Sequence, residues 1–173
     1  MRAALFVLVS ATILSGFPAA QADEPVAPPA IKLAVFPFEL EDFSAAAAVA
    51  PADDVDREQL RQATKEAQRL IAESGRYRLV AVAGANDEAA SVDKFHACGG
   101  CEAKIAAALG ADQSMIGIVT RISRTEFAVT YSIRDARTAA VVDVEQTGLR
   151  MGANSAWSRG ARWLIQHRLL GQP

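Results

Sequence analysis

Cys98-Gly99-Gly100-Cys101 holds the only two cysteines of this 173-residue chain. Two thiols three residues apart support three chemistries. They can close a disulfide, cycle as a redox couple, or present two soft ligands to a metal. The pair sits where a helix is expected to begin, and backbone N–H groups at a helix start stabilise a thiolate and depress its pKa. That is the setting of a redox couple. Against it, no aromatic residue precedes Cys98, and the helix in question is the second of the chain, not the first after a buried strand. Covalent haem attachment calls for His after the second cysteine, and Glu102 stands there. For a metal, His96 adds a nitrogen to the sulfurs of Cys98 and Cys101, a set suited to copper or zinc, with Asp93 as a nearby fourth group. The reading adopted is a local disulfide, which closes so small a loop that it restrains the unfolded chain by only roughly 2 kcal/mol. The thiol-redox and copper/zinc readings stay open beside it.

Other reactive groups are sparse. His96 and His167 are the only histidines, and neither lies in a triad pattern. No nucleophile elbow, phosphate loop or dinucleotide fingerprint occurs. Glu39, Glu41, Asp42 and the Asp53, Asp54, Asp56 group offer oxygen ligands of the calcium type, without the EF-hand spacing. No catalytic residue and no cofactor is therefore expected. The other candidate surface is the last helix. Trp157 and Trp163 are six residues apart, roughly 240° around a helix, so they cannot share one narrow stripe. Trp157 fits the buried face with Ala161 and Leu164. Trp163, flanked by Arg159 and Arg162, is then more exposed, either a combination favoured where proteins bind proteins or a cover over the sheet edge with the arginines snorkelling around it.

The compartment decides what the thiols do. Met1-Arg2 is a short positive start, Ala3 to Gly16 is almost uninterruptedly apolar, and Ala20-Gln21-Ala22 is an A-x-A pattern. This predicts a signal peptide over residues 1–22, cut between Ala22 and Asp23. The apolar run falls short of the about 20 residues that span a bilayer, and no later segment reaches that length. Export places the cysteines in an oxidising space, periplasmic or secreted, where thiol pairs close. The formal charge of −2 gives no reason to expect nucleic acid.

The elements that position these residues follow from period and punctuation. Residues 23–30 are a proline-rich, flexible lead-in, and residues 31–173 form a single domain. Ile31 to Phe38 reads as a strand with apolar residues on both faces, hence central, until Pro37 interrupts pairing. Glu39 to Pro51 reads as a flexible loop. A helix starts at Asp53 or Asp54, carrying Leu60, Ala63, Ala67, Leu70 and Ile71 on one stripe to Gly75. Tyr77 to Val82 is a strand, and a second helix runs from Cys98 or Cys101 to Leu109. Three period-two strands follow, at Ser114 to Ser123, Phe127 to Arg134 and Ala139 to Met151. Asn154 or Ser155 caps the final helix. The order β-α-β-α-β-β-β-α predicts an α+β domain, a mixed five-stranded sheet with helices packed on it.

Several strings carry a resemblance beyond this. They are Lys32-Leu-Ala-Val-Phe-Pro-Phe, Cys98-Gly-Gly-Cys-Glu-Ala-Lys-Ile-Ala, Leu109-Gly-Ala-Asp, Gly117-Ile-Val-Thr-Arg-Ile-Ser and Leu149-Arg-Met-Gly-Ala-Asn-Ser-Ala-Trp-Ser-Arg-Gly. Together they resemble a family of small secreted bacterial proteins of unknown function, over nearly the whole mature chain. More distantly, the chain is similar to the TolB amino-terminal domain and the curli-secretion lipoprotein fold, which share the order of strand ending Val-x-Pro-Phe, helix, strand, Leu-Gly-Ala-Asp and Gly-x-Val. The resemblance supplies no catalytic residues. It implies a periplasmic, non-enzymatic accessory domain that engages a protein partner of the envelope.

Overall fold

The computed structural model describes residues 29–49, 52–82, 94–150 and 156–172. The predicted signal peptide, most of the lead-in, Asp93 and the predicted cap at Asn154 or Ser155 lie outside the described residues. The strands are β1 (Ile31–Val35), β2 (Glu39–Asp42), β3 (Tyr77–Val80), β4 (Gln113–Arg121), β5 (Glu126–Asp135) and β6 (Val141–Arg150). The helices are α1 (Asp54–Glu73), α2 (Cys101–Ala108) and α3 (Trp157–Leu164). A 3₁₀ turn at Phe95–Ala97 precedes α2, and a π turn at Ile165–Leu169 continues α3.

The sheet runs β3-β1-β4-β5-β6, with β2 as a sixth strand beside β4. Its first half is parallel. β1 pairs with both β3 and β4, and connections of that kind need helical crossovers. The second half is an antiparallel meander, with Met115 opposite Ile133 and Tyr131 opposite Glu145. The α+β order predicted from the sequence is the one found.

One element differs. The segment read as a flexible loop from Glu39 contains β2, which pairs with β4 from Glu39↔Ile118 to Asp42↔Arg121. β1 pairs with the same edge of β4 nearer its start, from Leu33↔Gln113 to Val35↔Met115. The two are one strand course broken at Pro37, which has no N–H to give. On either side the chain is held by Phe36 N–H to Met115 O at 2.9 Å and Phe38 N–H to the Thr64 hydroxyl at 2.9 Å. The acids of this segment have partners. Asp42 and Asp56 grip the Arg121 guanidinium at 2.8 and 2.6 Å, tying β2 and α1 to β4. Burial raises the Asp42 pKa, but bonds from Ser44 and Arg121 outweigh it and hold the carboxyl below its usual range.

Asp53 is the N-cap of α1, and a capping box joins it to Asp56. Ala63, Ala67, Leu70 and Ile71 are buried as their spacing predicts, and Leu60 is half-buried. This stripe and α3 cover one face of the sheet over Leu33, Val35, Met115, Val119, Val129 and Tyr131. Trp157 is fully buried there, its ring 5.7 Å from that of Phe127. The other face carries Ala34, Phe36 and Ile116, covered by Phe95, Ile105 and Ala106 of the 3₁₀ turn and α2. That second, smaller layer brings the cysteines to the sheet.

Candidate functional site

Cys98 and Cys101 are joined as a disulfide with their Cα atoms 5.7 Å apart. The turn between them uses left-handed backbone, with φ +68° at Gly99 and +112° at Gly100, where a side chain would be strained. Gly100 also has a neighbour: a Cβ there would stand 3.2 Å from Ala139 Cβ, because the cysteine turn abuts the β5–β6 hairpin. α2 begins at Cys101, whose N–H donates to Cys98 Sγ at 3.2 Å. Cys98 is exposed and Cys101 half-buried.

Two acids frame this turn. Glu102 is 1 % exposed, and the Arg134 guanidinium lies 3.1 Å from its Oε1 as a counter-charge, without an aligned hydrogen bond. Arg134 is held in turn by donating to Ala139 O at 2.9 Å. The second acid, Glu39 of β2, clamps the 3₁₀ turn. Its carboxylate accepts the backbone N–H of Phe95 at 2.7 Å and of His96 at 3.1 Å, and meets His96 Nδ1 at 2.5 Å. The far nitrogen of that ring is 3.8 Å from Glu41.

The predicted ligand set is therefore rearranged. His96 faces Glu39 and Glu41. Among the described residues, the His, Cys, Asp and Glu groups that converge are Cys98, Cys101 and Glu102, with ligand atoms within 4.8 Å of one another. While the sulfurs are bonded to each other they are not thiolate ligands. The oxygen groups weighed for calcium are spent otherwise, Asp42 and Asp56 on Arg121 and Asp53 on the helix cap. The sequence offers Glu39 only as an oxygen ligand, not as the clamp on the 3₁₀ turn, and gives no signal for Arg134. Glu102 was noticed only as the residue that replaces a haem-motif histidine. No local signal marks Glu102 as buried or pairs it with Arg134, which is distant in sequence.

The second candidate surface lies on α3, beyond the opposite sheet face. Trp157, Ala161, Leu164 and Ile165 point inward and are at most 1 % exposed, whereas Trp163 is 41 % exposed. The Trp163 ring is 5.1 Å from that of His167, and Arg168 lies over it at 5.7 Å. Arg159 is exposed beside it. Arg162 is engaged, donating to Glu66 at 2.6 Å and tying α3 to α1. Hydrogen bonds from Arg69, then Arg162, hold the Glu66 carboxyl below its usual range against the effect of burial. Around Trp163 the arginines are thus Arg159, Arg162 braced by Glu66, and Arg168, which lies 3.8 Å from Glu145.

The profile of the DUF3280 family, described as "Protein of unknown function (DUF2380)", matches residues 31–169. No curated protein sequence matches the chain. Among solved structures, the chain is similar to the LpoB C-terminal domain from Escherichia coli, with TM-score 0.52 and 12 % identity over 70 % of this chain and 83 % of that one. It also matches lipoprotein GNA1162 from Neisseria meningitidis, with TM-score 0.49 and 20 % identity over 73 % and 84 % of the two chains. TolB from Acinetobacter baumannii matches with TM-score 0.44 and 15 % identity over 84 % of this chain and 30 % of that one. At such identities the LpoB likeness establishes a shared fold and nothing about function.

Proposed function

The chain belongs to the DUF3280 family, whose function is unknown, and from that premise we propose that it is an exported accessory domain that binds a protein partner in the cell envelope. The observation that carries this reading is the Trp163 surface. A large aromatic side chain stands out from a helix whose other face is fully committed to the core. Arg159 and Arg168 flank it, and buried Trp and Arg dominate binding energy at protein interfaces. Export rests on the leader-like residues 1–22. The reading involves no turnover of a small molecule, in keeping with a sequence that offers no nucleophile elbow, triad or phosphate loop.

The test is recovery of partners from envelope extract with the wild-type chain and with Trp163→Ala. The substitution lies on an exposed position, so the fold is expected to survive, which circular dichroism checks. A partner retained by wild type and lost by at least tenfold with Trp163→Ala supports the surface. Equal recovery by both would refute it.

A further inference from the structure

The Glu102 carboxylate is buried against Cys98 without an aligned N–H or O–H donor among the described residues. Besides the Arg134 guanidinium at Oε1, the group within its reach is Cys98 Sγ, 3.8 Å from Oε2. In a disulfide that sulfur carries no hydrogen, so the contact is a hydrogen bond only when the pair is reduced. Burial of a carboxylate that has a counter-charge but no aligned donor is unfavourable, and the reduced Cys98 supplies one when its S–H turns from Phe95 O, 3.0 Å from the same sulfur, to Glu102. Two further features fit the reduced form. The Cys101 N–H directed at Cys98 Sγ, at the first turn of α2, stabilises a thiolate there. Cys98 is the exposed residue of the pair and Cys101 the half-buried one, which favours Cys98 as the point of entry for a reagent.

We propose that Cys98–Cys101 is a reversible thiol–disulfide exchange site, in which Cys98 forms the mixed disulfide and Glu102 accepts the Cys98 proton. The co-reactant is a dithiol in one direction and a disulfide in the other. Starting from the oxidised chain, a thiolate of the dithiol attacks Cys98 Sγ. A new S–S bond forms, the Cys98–Cys101 bond breaks, and its electron pair leaves on Cys101, which takes up a proton. The second thiolate of the co-reactant then attacks its own sulfur in the mixed disulfide and expels Cys98, which is protonated. The chain has gained two electrons and two protons, and the co-reactant has become a disulfide. In the return direction Cys98 attacks a disulfide while Glu102 Oε2 removes its proton, with Arg134 as the fixed counter-charge. The exchange is stoichiometric and independent of the Trp163 reading.

The experiment uses the full chain after reduction, mixed with oxidised glutathione from about pH 5 to about pH 9, a span that brackets an ordinary thiol pKa. Adducts are counted by mass after acid quenching. Cys101→Ser is expected to trap glutathione on Cys98 about tenfold faster than Cys98→Ser traps it on Cys101. Equal rates would overturn the assignment of Cys98. Glu102→Gln keeps the shape of the side chain, and the sign of its effect is decisive. If Glu102 is the proton acceptor, its loss slows attack about tenfold below the thiol pKa, and the rates converge above it. If it is only a neighbouring negative charge, its loss lowers the thiol pKa and speeds the attack. An acceleration, or an unchanged pH–rate profile, would overturn the proposal. A pair that glutathione buffers cannot open in the native chain would overturn it as well.

Discussion

Gly117 of β4 lies against the ring of Phe38, and adding one methyl group there tests how the two halves of the first strand are held. An ideal Cβ at Gly117 falls closer to three Phe38 ring atoms than the 3.0 Å that real Cβ atoms essentially never cross. The ring is 4 % exposed, and its backbone is pinned by the bond from Phe38 N–H to Thr64. It therefore has little room to retreat. Gly117 has no left-handed φ, so without the ring an alanine would be neutral or would stabilise by about 0.4–1 kcal/mol. With the ring in place, overpacking destabilises by about 2–3 kcal/mol. Phe38→Ala alone costs about 3–5 kcal/mol. In the double variant the alanine methyl enters the space the ring vacated, so the total should not exceed that of Phe38→Ala. The interaction energy is then about 2–3 kcal/mol in the compensating direction. Urea unfolding of the four proteins, followed by circular dichroism, measures it. Effects that add to within about 0.5 kcal/mol would refute the account of Gly117 as the seat of Phe38.

Three other outcomes follow from the same geometry. Arg121→Ala leaves the Asp42 and Asp56 carboxylates without their shared cation, at a cost of about 2–3 kcal/mol. That is below the figure for a fully buried pair, since the guanidinium side chain is 16 % exposed; thermal melts check it. Asp42 has a lowered folded pKa, so its contribution to stability is fully present above its unfolded value near 3.8 and is lost as pH falls through the lower folded value. Asp42→Asn should flatten acid unfolding in that window, and an unchanged acid limb would contradict the shift. Glu39→Ala removes the acceptor for two backbone N–H groups, so hydrogen exchange at Phe95 and His96 should accelerate at least about tenfold while exchange in β4 and β5 stays unchanged.

The sequence disclosed most where a residue's role was local. Asp53 announces the cap of α1 by its position before an apolar stripe. The alternation Phe127, Val129, Tyr131, Ile133 announces β5, and Pro37 announces the break after β1. What it hid depended on partners far along the chain. Glu39-Leu40-Glu41-Asp42 looks like solvated loop until Arg121 and the backbone of Phe95 and His96 arrive to meet its carboxylates. His96 reads as a ligand beside two cysteines, yet Glu39, 57 residues away, turns its ring toward itself. Glu102 carries no local mark of being buried, because α2 is short and apolar on several sides. Trp163 was legible as exposed from helical geometry alone. The Arg162 bond to Glu66, 96 residues apart, was not.

The claim that this domain works by binding a protein is tested most directly by site-specific photocrosslinking in the intact envelope. A photoreactive amino acid is placed at position 163 and, as a control, at position 104, where Lys104 is exposed on α2 behind the other sheet face. The account predicts a discrete crosslinked species from position 163 that is absent from position 104. No adduct from position 163, or the same adducts from both positions, would contradict it.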